Sequence, residues 1–435
     1  MSPASPAAAP VSAMPNAGPE NSSPSARRAY RLGIANGIVF LIGVAFVDPV
    51  TVLPTFVSRL TDSEIAVGLV SMLGIGGMFL PQLFAASYLQ SKPYKRPFYL
   101  LGAFLRGAGL ALAIPLVYFL APRQPAAALV AFFLCYAISN IGAGFSTLAF
   151  LDIIARTIPG RRLGRFFGHR FFWGSLGAIG SGLLIRAILA GPRFPFPADY
   201  CLLLGLALVA FVPSWFAFAA IEEPPSRTEK AQPFGAFVRG APALIHQDRD
   251  YRLLLLSRLF TGGAGIALPF YIIYCRRLLG VPEATVGTYL SVQMAGSVLL
   301  IPLWAYLNDS KGPRTLLLAV AWLSAALTAI ALFASLIPGA VTIGRFAFAL
   351  IFFVAAATGA GGFMASMNYL FAIAPEERRP LYLGVHNTLF ALTTFLPLLG
   401  GVLVRLTSFS VLFAAAVLLS LIGAVTALRV SPQRP

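Results

Sequence analysis

The sequence is short of charge, and above all of negative charge. Of its 435 residues only 11% are charged, with 15 acids against 32 bases, while 58% are hydrophobic. Soluble domains are usually about one quarter charged, so this chain has too few ionisable side chains to cover a surface that faces water. These proportions exclude a soluble enzyme and indicate a membrane protein with many spans.

Several other residue types and motifs are scarce or missing. The three cysteines, Cys135, Cys201 and Cys275, lie in or at the ends of apolar blocks without C-x-x-C spacing, which argues against a disulfide framework and a zinc site. No G-x-x-x-x-G-K-[ST] motif occurs, which excludes an ATP-driven pump within this chain. The arginines are dispersed and only four residues are lysine. We therefore expect no metal, no cofactor and no nucleic-acid partner.

The first 29 residues differ in composition from the rest of the chain. Residues 1–29 are rich in Ala, Pro and Ser, a composition that cannot form a hydrophobic core, so we predict a disordered tail. A signal peptide is excluded, because the first basic residue is Arg27 and prolines interrupt every apolar run.

Twelve apolar blocks follow this tail. Each is at least about as long as the roughly 20 residues that a helix needs to cross about 30 Å of hydrocarbon. We therefore predict an all-α membrane protein with twelve transmembrane helices. The predicted spans are residues 32–56, 65–90, 98–121, 126–154, 166–190, 199–220, 253–275, 284–307, 315–337, 343–373, 381–405 and 409–428.

The distribution of basic residues predicts the orientation of the spans. When the loops are sorted by side, 21 of the 32 lysines and arginines fall on one side of the membrane and six on the other. Cytoplasmic loops carry the excess of Lys and Arg in membrane proteins. We therefore expect a multi-pass protein of the bacterial inner membrane with both termini in the cytoplasm.

The longest connection divides the spans into six and six. Residues 221–252 mix prolines with charges of both signs, and we predict a central cytoplasmic loop there. The predicted six-helix bundles are residues 30–220 and 253–428, followed by a cytoplasmic tail at 429–435.

The two halves repeat each other. Arg59 and Glu64 of the first half recur as Arg277 and Glu283, and the stretch 142–145 (GAGF) reappears within 359–363 (GAGGF). Six helices return the chain to its starting side, so the copies have the same orientation and are related by an axis along the membrane normal.

With these features the sequence resembles the major facilitator superfamily of secondary transporters. The resemblance covers the twelve spans and rests on the repeat, the central loop and the motif Asp309-Ser310-Lys311-Gly312-Pro313-Arg314 between spans 8 and 9. Its counterpart between spans 2 and 3 has Ser91 where the family motif has an acid. The resemblance implies two bundles that rock about a central cavity, and a monomeric transporter of a small molecule in the lipid bilayer.

Residues of these loops and their neighbours are candidates for a cytoplasmic gate. Charge pairs at adjacent helix ends latch one conformation and break in another. The alternative is surface charge without a further role, because exposed ion pairs contribute only about 0 to 1 kcal/mol. The gate candidates are Lys95, Arg96 and Asp152 in the first half and Asp309, Gly312 and Arg314 in the second.

Ionisable residues inside spans are few and costly, at about 2.5 to 3.5 kcal/mol each at a helix centre on translocon scales. Asp48, next to Pro49, is the only acid well inside a span; it serves either as a proton carrier or as a structural partner of kinked backbone or of an arginine. Arg258 either binds an anionic substrate group or anchors neighbouring helices. Arg106, in the third span, is expected to pair structurally.

Uncharged polar residues occur on spans 1, 2, 4, 8, 10 and 11, the helices that line the central cavity in the family that the chain resembles. They either line a substrate path or form hydrogen bonds between helices. His169 and His386 titrate in a range suited to proton coupling, or are simply hydrogen-bonded at helix ends. The polar set is Asn36, Gln82, Asn140, Gln293, Asn368 and Asn387.

Together these features predict a secondary active transporter with alternating access, no enzymatic activity, and proton coupling. Asp48 is the coupling candidate, and Arg258 favours an organic anion as substrate. Two alternatives remain: a membrane scaffold or sensor on a transporter fold, and an intramembrane enzyme built on His246, Asp248 and Asp250 in the central loop.

Overall fold

The computed structural model describes residues 24–78, 89, 92–225, 242–337, 341–375 and 378–432, and nearly all of these are helical. Helices begin where proline occupies the first turn, as at Pro97, Pro125, Pro269 and Pro397, because the missing N–H has no partner there in any case. The helices of the first half are α1 (Pro24–Phe46), α2 (Val52–Leu60), α3 (Glu64–Gly76), α4 (Arg96–Leu120), α5 (Pro125–Thr157), α6 (Gly160–Ala190) and α7 (Ala198–Ala219).

The second half differs from the first in where its spans are broken. Two of its spans contain a short 3₁₀ segment, Gly263–Ile266 between α8 and α9 and Leu392–Phe395 between α12 and α13. The helices are α8 (Arg249–Gly262), α9 (Leu268–Arg277), α10 (Thr285–Leu336), α11 (Val341–Ile373), α12 (Arg379–Ala391), α13 (Leu396–Leu406) and α14 (Phe409–Leu428).

Ten helical segments of the described chain are long and apolar enough to cross a membrane, with α8 and α9 counted as one segment and α12 and α13 as another. One of them, α10, has 52 residues, about 78 Å at 1.5 Å per residue, which is more than twice the hydrocarbon thickness. It turns at Gly312, whose φ of 81° and ψ of 163° are not helical, so it makes two passes. With the apolar α3 as the described part of the second predicted span, the arrangement is compatible with twelve.

Two stretches that we expected to be irregular are helical. α1 begins at Pro24, within the predicted disordered tail, because the residues after Pro24 tolerate helix and proline suits its first turn. Residues 242–247 of the predicted central loop are also helical. Residues 1–23 and 226–241, the remainder of these two predictions, lie outside the described residues.

Each half packs mainly within itself, and three helix pairs provide most of the contacts between the halves. In the first half α1 packs against α6 and α7, and in the second α10 packs against α11 and α14. Between the halves, α6 packs against α10, α3 against α13 and α2 against α9. Glycines permit these approaches: a Cβ at Gly287 would lie 2.2 Å from the carbonyl oxygen of Gly182.

We call the membrane face that carries the start of α1 and the end of α14 the terminal face, and the other the opposite face. The α2–α9 contact lies at the opposite face, where α2 and α9 end. The glycine contacts of α6 with α10 lie in the half of those helices nearer the opposite face.

Candidate functional site

A cavity of about 380 Å³ lies where the second half's two broken spans face each other. Both 3₁₀ segments contribute to its wall, and among the described residues of the first half Ile75 of α3 is the one that lines it. Helix breaks favour a site here, because interrupted helices present backbone groups and irregular geometry to a ligand. The lining residues are Ile75, Arg258, Thr261, Gly262, Ala264, Gly265, Leu268, Tyr271, Ser324, Leu327, Thr328, Ile351, Ala355, Thr358, Gly359, Phe363, Phe390, Thr393, Thr394 and Pro397.

Arg258 is the charged residue of this lining. It is 7% exposed, and its guanidinium carbon lies 4.2 Å from the centre of the Phe390 ring. In the described part of the chain it forms no ion pair, and its Nε atom is buried without a hydrogen-bond partner. A buried cation without a counter-charge is costly, and an anionic ligand would compensate that cost.

Hydroxyl groups surround the middle of the cavity. The Thr261 Oγ1 atom is buried without a hydrogen-bond partner among the described residues. The Thr393 and Thr394 hydroxyls donate to the carbonyl oxygens of Phe390 and Ala391 at 2.6 Å each, so their oxygens remain able to accept a hydrogen bond. Thr328 and Thr358 likewise donate to carbonyls of their own helices.

The first half holds two further arginines inside its spans, and neither lines this cavity. The guanidinium of Arg106 lies 4.9 Å from the Phe40 ring centre and 4.3 Å from that of Phe211. Arg170, which our sequence analysis missed, donates from NH1 to the Asn36 side-chain oxygen at 2.5 Å and to the Gly33 carbonyl at 2.9 Å. Both arginines are therefore held by groups of their own bundle.

Asp48 lies at the break between α1 and α2. Its Oδ1 atom accepts hydrogen bonds from the backbone N–H of Val50 at 2.9 Å and of Thr51 at 2.7 Å, and from the Thr51 hydroxyl at 2.8 Å. These bonds satisfy donors that the break releases at the start of α2. No ion pair joins Asp48 to an arginine in the described residues, so it acts structurally as a cap.

The predicted polar set does not converge on one place. Asn36 donates to Ser214 at 2.8 Å, Asn140 to the Tyr136 carbonyl of its own helix at 2.8 Å, and Asn368 to Asn308 at 3.0 Å. Gln293 is buried, and its Oε1 has no partner among the described residues. Asn387 is exposed, and Gln82 lies outside the described residues.

The predicted gate residues of the first half meet around an acid that our sequence analysis did not single out. Glu223, just after α7, accepts from the backbone N–H of Lys95 at 2.6 Å, from that of Arg96 at 2.9 Å and from the Arg156 guanidinium at 2.9 Å. Arg156 also pairs with Asp152. Burial lowers the pKa of the Lys95 ammonium, and the Asp152 carboxylate opposes that shift. This cluster ties the first half together at the terminal face.

The predicted gate residues of the second half likewise bond within their own half. Arg314 donates to the carbonyl of Leu428, the last residue of α14, at 3.2 Å and to that of Val430, just beyond the helix, at 2.7 Å. The last carbonyls of a helix have no partner within it. Asp309 accepts from Asn308 at 3.1 Å. Gly312 supplies the turn, since its positive φ is one that residues with a Cβ rarely adopt.

The charged links between the halves lie at the opposite face, and they join repeat-related residues. Arg59 of α2 donates to Glu283 at 3.3 Å, while Arg277 of α9 donates to Glu64 at 2.8 Å. The first arginine matches the second in the repeat, and the two glutamates match each other. Each half therefore gives one arginine and receives one. We call these four residues the reciprocal latch.

Glu283 is the centre of a wider network there. The Oε1 atom of Glu283 accepts from the Tyr200 hydroxyl at 2.5 Å. Its Oε2 atom, which accepts from Arg59, also accepts from Arg276 of its own half at 3.2 Å. Arg276 also donates to the Ser58 hydroxyl across the interface at 2.9 Å. Because one carboxylate serves both bundles, separation of the halves would break several charge-assisted bonds together.

The acids of the central loop, which an intramembrane enzyme would need, have structural partners. Asp248 caps α8 by accepting from the Tyr251 backbone N–H at 2.9 Å, and it accepts from the Tyr382 hydroxyl at 2.7 Å. Asp250 accepts from the Ser431 hydroxyl at 2.9 Å. These bonds hold α8, α12 and the end of the chain together. No group of three or more His, Cys, Asp or Glu side chains that could hold a metal occurs in the described ranges.

Comparison with known proteins identifies the architecture. A family model described as Major Facilitator Superfamily matches residues 253–435. A bacterial homologue of the iron transporter ferroportin in an inward-facing state gives a TM-score of 0.72 at 15% identity, covering 94% of this chain and 99% of that chain. The fold is that of the major facilitator superfamily.

Other members of that fold are similar over almost the whole chain. A bacterial ferroportin homologue in an outward-facing state gives a TM-score of 0.62 at 16% identity, covering 92% of this chain and 98% of that chain. A mutant of the nucleoside transporter NupG gives 0.68 at 15% identity, covering 93% and 99%. A comparison with curated proteins finds no match.

Within this major facilitator fold, our sequence analysis missed the latch, Glu223 and the cavity hydroxyls. The latch could have been predicted, because the repeat already aligned Arg59 with Arg277 and Glu64 with Glu283. Two repeats that pack against each other about a twofold axis would bring each arginine to the glutamate of the other repeat. Glu223 gave no signal, because an acid after a span is ordinary in sequence. The hydroxyls gave none, because threonine inside a helix usually bonds to its own backbone.

Proposed function

We propose that this chain is a secondary active transporter that moves a small organic anion by alternating access. The observation that carries the proposal is Arg258, a buried cation in a membrane-depth cavity without an acid partner among the described residues. Ionisable groups inside spans mark substrate or ion pathways by default. The transporter fold supports the same interpretation.

We propose that the terminal face is cytoplasmic and that the structure is inward-facing. The positive-inside distribution supports the orientation. In support of the state, the latch holds the halves together at the opposite face, whereas the ion pairs that join two described residues at the terminal face lie within the first half. The TM-score against an inward-facing relative is also higher than against an outward-facing one.

Transport in this scheme requires the latch to break. The bundles rock about the cavity, the pairs Arg59–Glu283 and Arg277–Glu64 separate, and the opposite face opens. An anion bound at Arg258 lowers the cost of desolvating that cation, so the loaded cavity passes through the closed intermediate more easily than the empty one. This preference is the coupling that a carrier needs.

We propose proton coupling through Asp48. It is the one acid well inside the predicted spans, and its recorded hydrogen bonds all go to Oδ1. The other carboxylate oxygen is then the atom that takes a proton, while the bonds to Oδ1 keep the backbone capped in both protonation states.

The proposed function is tested by flux in proteoliposomes. Purified protein is reconstituted, and uptake of radiolabelled carboxylates is measured with and without an imposed proton gradient. We expect uptake by the wild type and its loss in Arg258→Gln. Arg405→Gln serves as the matched control, because Arg405 is an exposed arginine of α13 outside the cavity lining. Full uptake by Arg258→Gln would refute the role of Arg258. Absence of flux under any gradient would favour the sensor or scaffold alternative.

A further inference from the structure

We infer that the cavity selects an amphiphilic monoanion: a compact apolar body with a single negatively charged group, bound with that group at Arg258. This inference rests on the proposed function and specifies its substrate class.

The cavity is polarised from end to end. Arg258 and Phe363 lie toward the terminal face and Tyr271 toward the opposite face, as the directions of α8, α9 and α11 require. Leu327 and Ile351 accompany Tyr271 toward the opposite face, where Thr328 also lies, and Thr261 lies one turn from Arg258. A ligand that fits this gradient is charged at one end and apolar at the other.

The charge count limits the ligand to one negative group. Arg258 is the only cationic side chain among the lining residues of the described chain. A second carboxylate would lose its hydration without gaining a cation, and burial of an unpaired charge is strongly unfavourable. The hydroxyls offer at most hydrogen bonds, which do not offset that loss. Dianions of similar size are therefore disfavoured.

The lining also disfavours zwitterions and neutral polyols. No acid belongs to the lining in the part of the chain that is described, so an α-ammonium group would have no counter-charge. The remaining walls are mostly aliphatic and aromatic, so a sugar would lose most of its hydrogen bonds to water. A phenyl or alkyl body gains from the same walls, because burial of apolar surface is favourable.

Partner geometry places the anionic group near the break between α8 and α9. The Nε atom of Arg258 and the Oγ1 atom of Thr261 both lack partners and lie on one helix, three residues apart, which puts them on the same face of that helix. A carboxylate accepts from a guanidinium and from a hydroxyl at once. The Phe390 ring, which also lines the cavity, has its centre 4.2 Å from the guanidinium carbon.

A matched set of four small molecules tests this inference on the full-length protein in detergent. The set has one skeleton with different charge: 3-phenylpropanoate as the monoanion, phenylsuccinate as the dianion, phenylalanine as the zwitterion and 3-phenylpropanamide as the neutral compound. Binding is measured by isothermal titration calorimetry at millimolar ligand. We expect 3-phenylpropanoate to bind at least about tenfold more tightly than each of the others.

Two variants locate the site. Arg258→Gln should weaken binding of 3-phenylpropanoate by about 10- to 100-fold, the range for loss of a charge-assisted bond, and Arg405→Gln should leave it unchanged. Thr261→Val, which keeps the shape, should weaken it by a smaller factor. Folding of each variant is checked by its elution as a single species and its helical circular dichroism.

The possible outcomes separate this inference from the proposed function. Tighter binding of phenylsuccinate, with dependence on Arg258, would overturn the monoanion and keep an anion transporter. Preference for the amide or for phenylalanine would overturn both. Equal binding of 3-phenylpropanoate by Arg258→Gln and the wild type would overturn the placement at Arg258. Failure of all four compounds to bind would overturn the apolar body, and proteoliposome flux of other anions would still report on the proposed function.

Discussion

At the scale of single residues, the buried charges differ in what holds them, and Arg106, like Arg258, lies against aromatic rings without an ion pair among the described residues. Arg170 has the Asn36 side chain and a carbonyl, and Asp48 has the backbone of its own break. Arg258 has an aromatic ring but no acceptor for its Nε in the described ranges. An ionisable residue inside a membrane span is by default a candidate for a functional site, and we propose that a ligand compensates Arg258 for part of the cycle.

Asp48 allows the structural and coupling roles to be separated. Asp48→Asn keeps an oxygen for the Val50 and Thr51 donors, so we expect normal folding, but it cannot exchange a proton. Uptake driven by a proton gradient should be lost, while exchange of labelled for unlabelled substrate without a gradient should continue. Asp48→Ala removes the cap and should lower the free energy of unfolding by about 1 to 2 kcal/mol. Gradient-driven uptake by Asp48→Asn at the wild-type rate would eliminate Asp48 as the carrier.

The sequence indicated which residues mattered at this scale better than what they contact. The positions of Asp48 and Arg258 inside apolar blocks were sufficient to single them out, because charge there is costly. Their partners depend on helix rotation and on breaks of a few residues. The same limit explains why Asn36 was predicted to line the cavity, although its recorded hydrogen bonds stay within the first half.

At the scale of elements, breaks and close contacts determine where the site lies. Pro269 and Pro397 each follow a 3₁₀ segment, and a proline removes the hydrogen bond to the carbonyl four residues earlier. The sequence therefore contained both breaks, as it contained the one at Asp48-Pro49. That the two breaks of the second half face one cavity depended on packing, which periodicity does not specify.

Two glycines of α6 provide a matched test of the α6–α10 contact. A Cβ at Gly182 would lie 2.3 Å from the Ser291 hydroxyl and 2.6 Å from the Gly287 carbonyl, whereas one at Gly180 meets nothing within 4 Å. We expect Gly182→Ala to separate the bundles at the opposite face, and Gly180→Ala to have no such effect. The measurement is the labelling rate of Thr394→Cys by a thiol reagent applied from the opposite face of oriented proteoliposomes. Equal rates in the two variants would contradict this role of the contact.

At the scale of the whole molecule, the sequence predicted the topology and the repeat, and the structure adds which face is closed. Hydrophobic block lengths and the loop charges follow from the membrane itself, so they are visible in any conformation. In the alternating-access scheme that we propose, each face closes in turn, and no local pattern of the sequence indicates which face is closed. The predicted gate concerned the terminal face, whereas the links between halves lie at the opposite one.

Charge exchange tests the reciprocal latch. Glu64→Arg alone places two arginines together, so we expect the opposite face to open more often and labelling of Thr394→Cys from that face to rise. Glu64→Arg combined with Arg277→Glu restores an ion pair and should restore slow labelling. Partly exposed pairs contribute up to about 1 kcal/mol, so the population shift should be up to about fivefold. Failure of the double variant to recover would show that the pair does not hold the face closed.

The reciprocal latch also has a consequence for the origin of the two halves. A surface that presents one arginine and one glutamate to an identical surface across a twofold axis is self-complementary, as in an isologous dimer. A single six-helix unit with these two residues would close against a second copy of itself through the same two ion pairs. The closed face therefore needs no divergence between the halves. The arginine of the cavity, by contrast, has no counterpart at the repeat-related position of the first half.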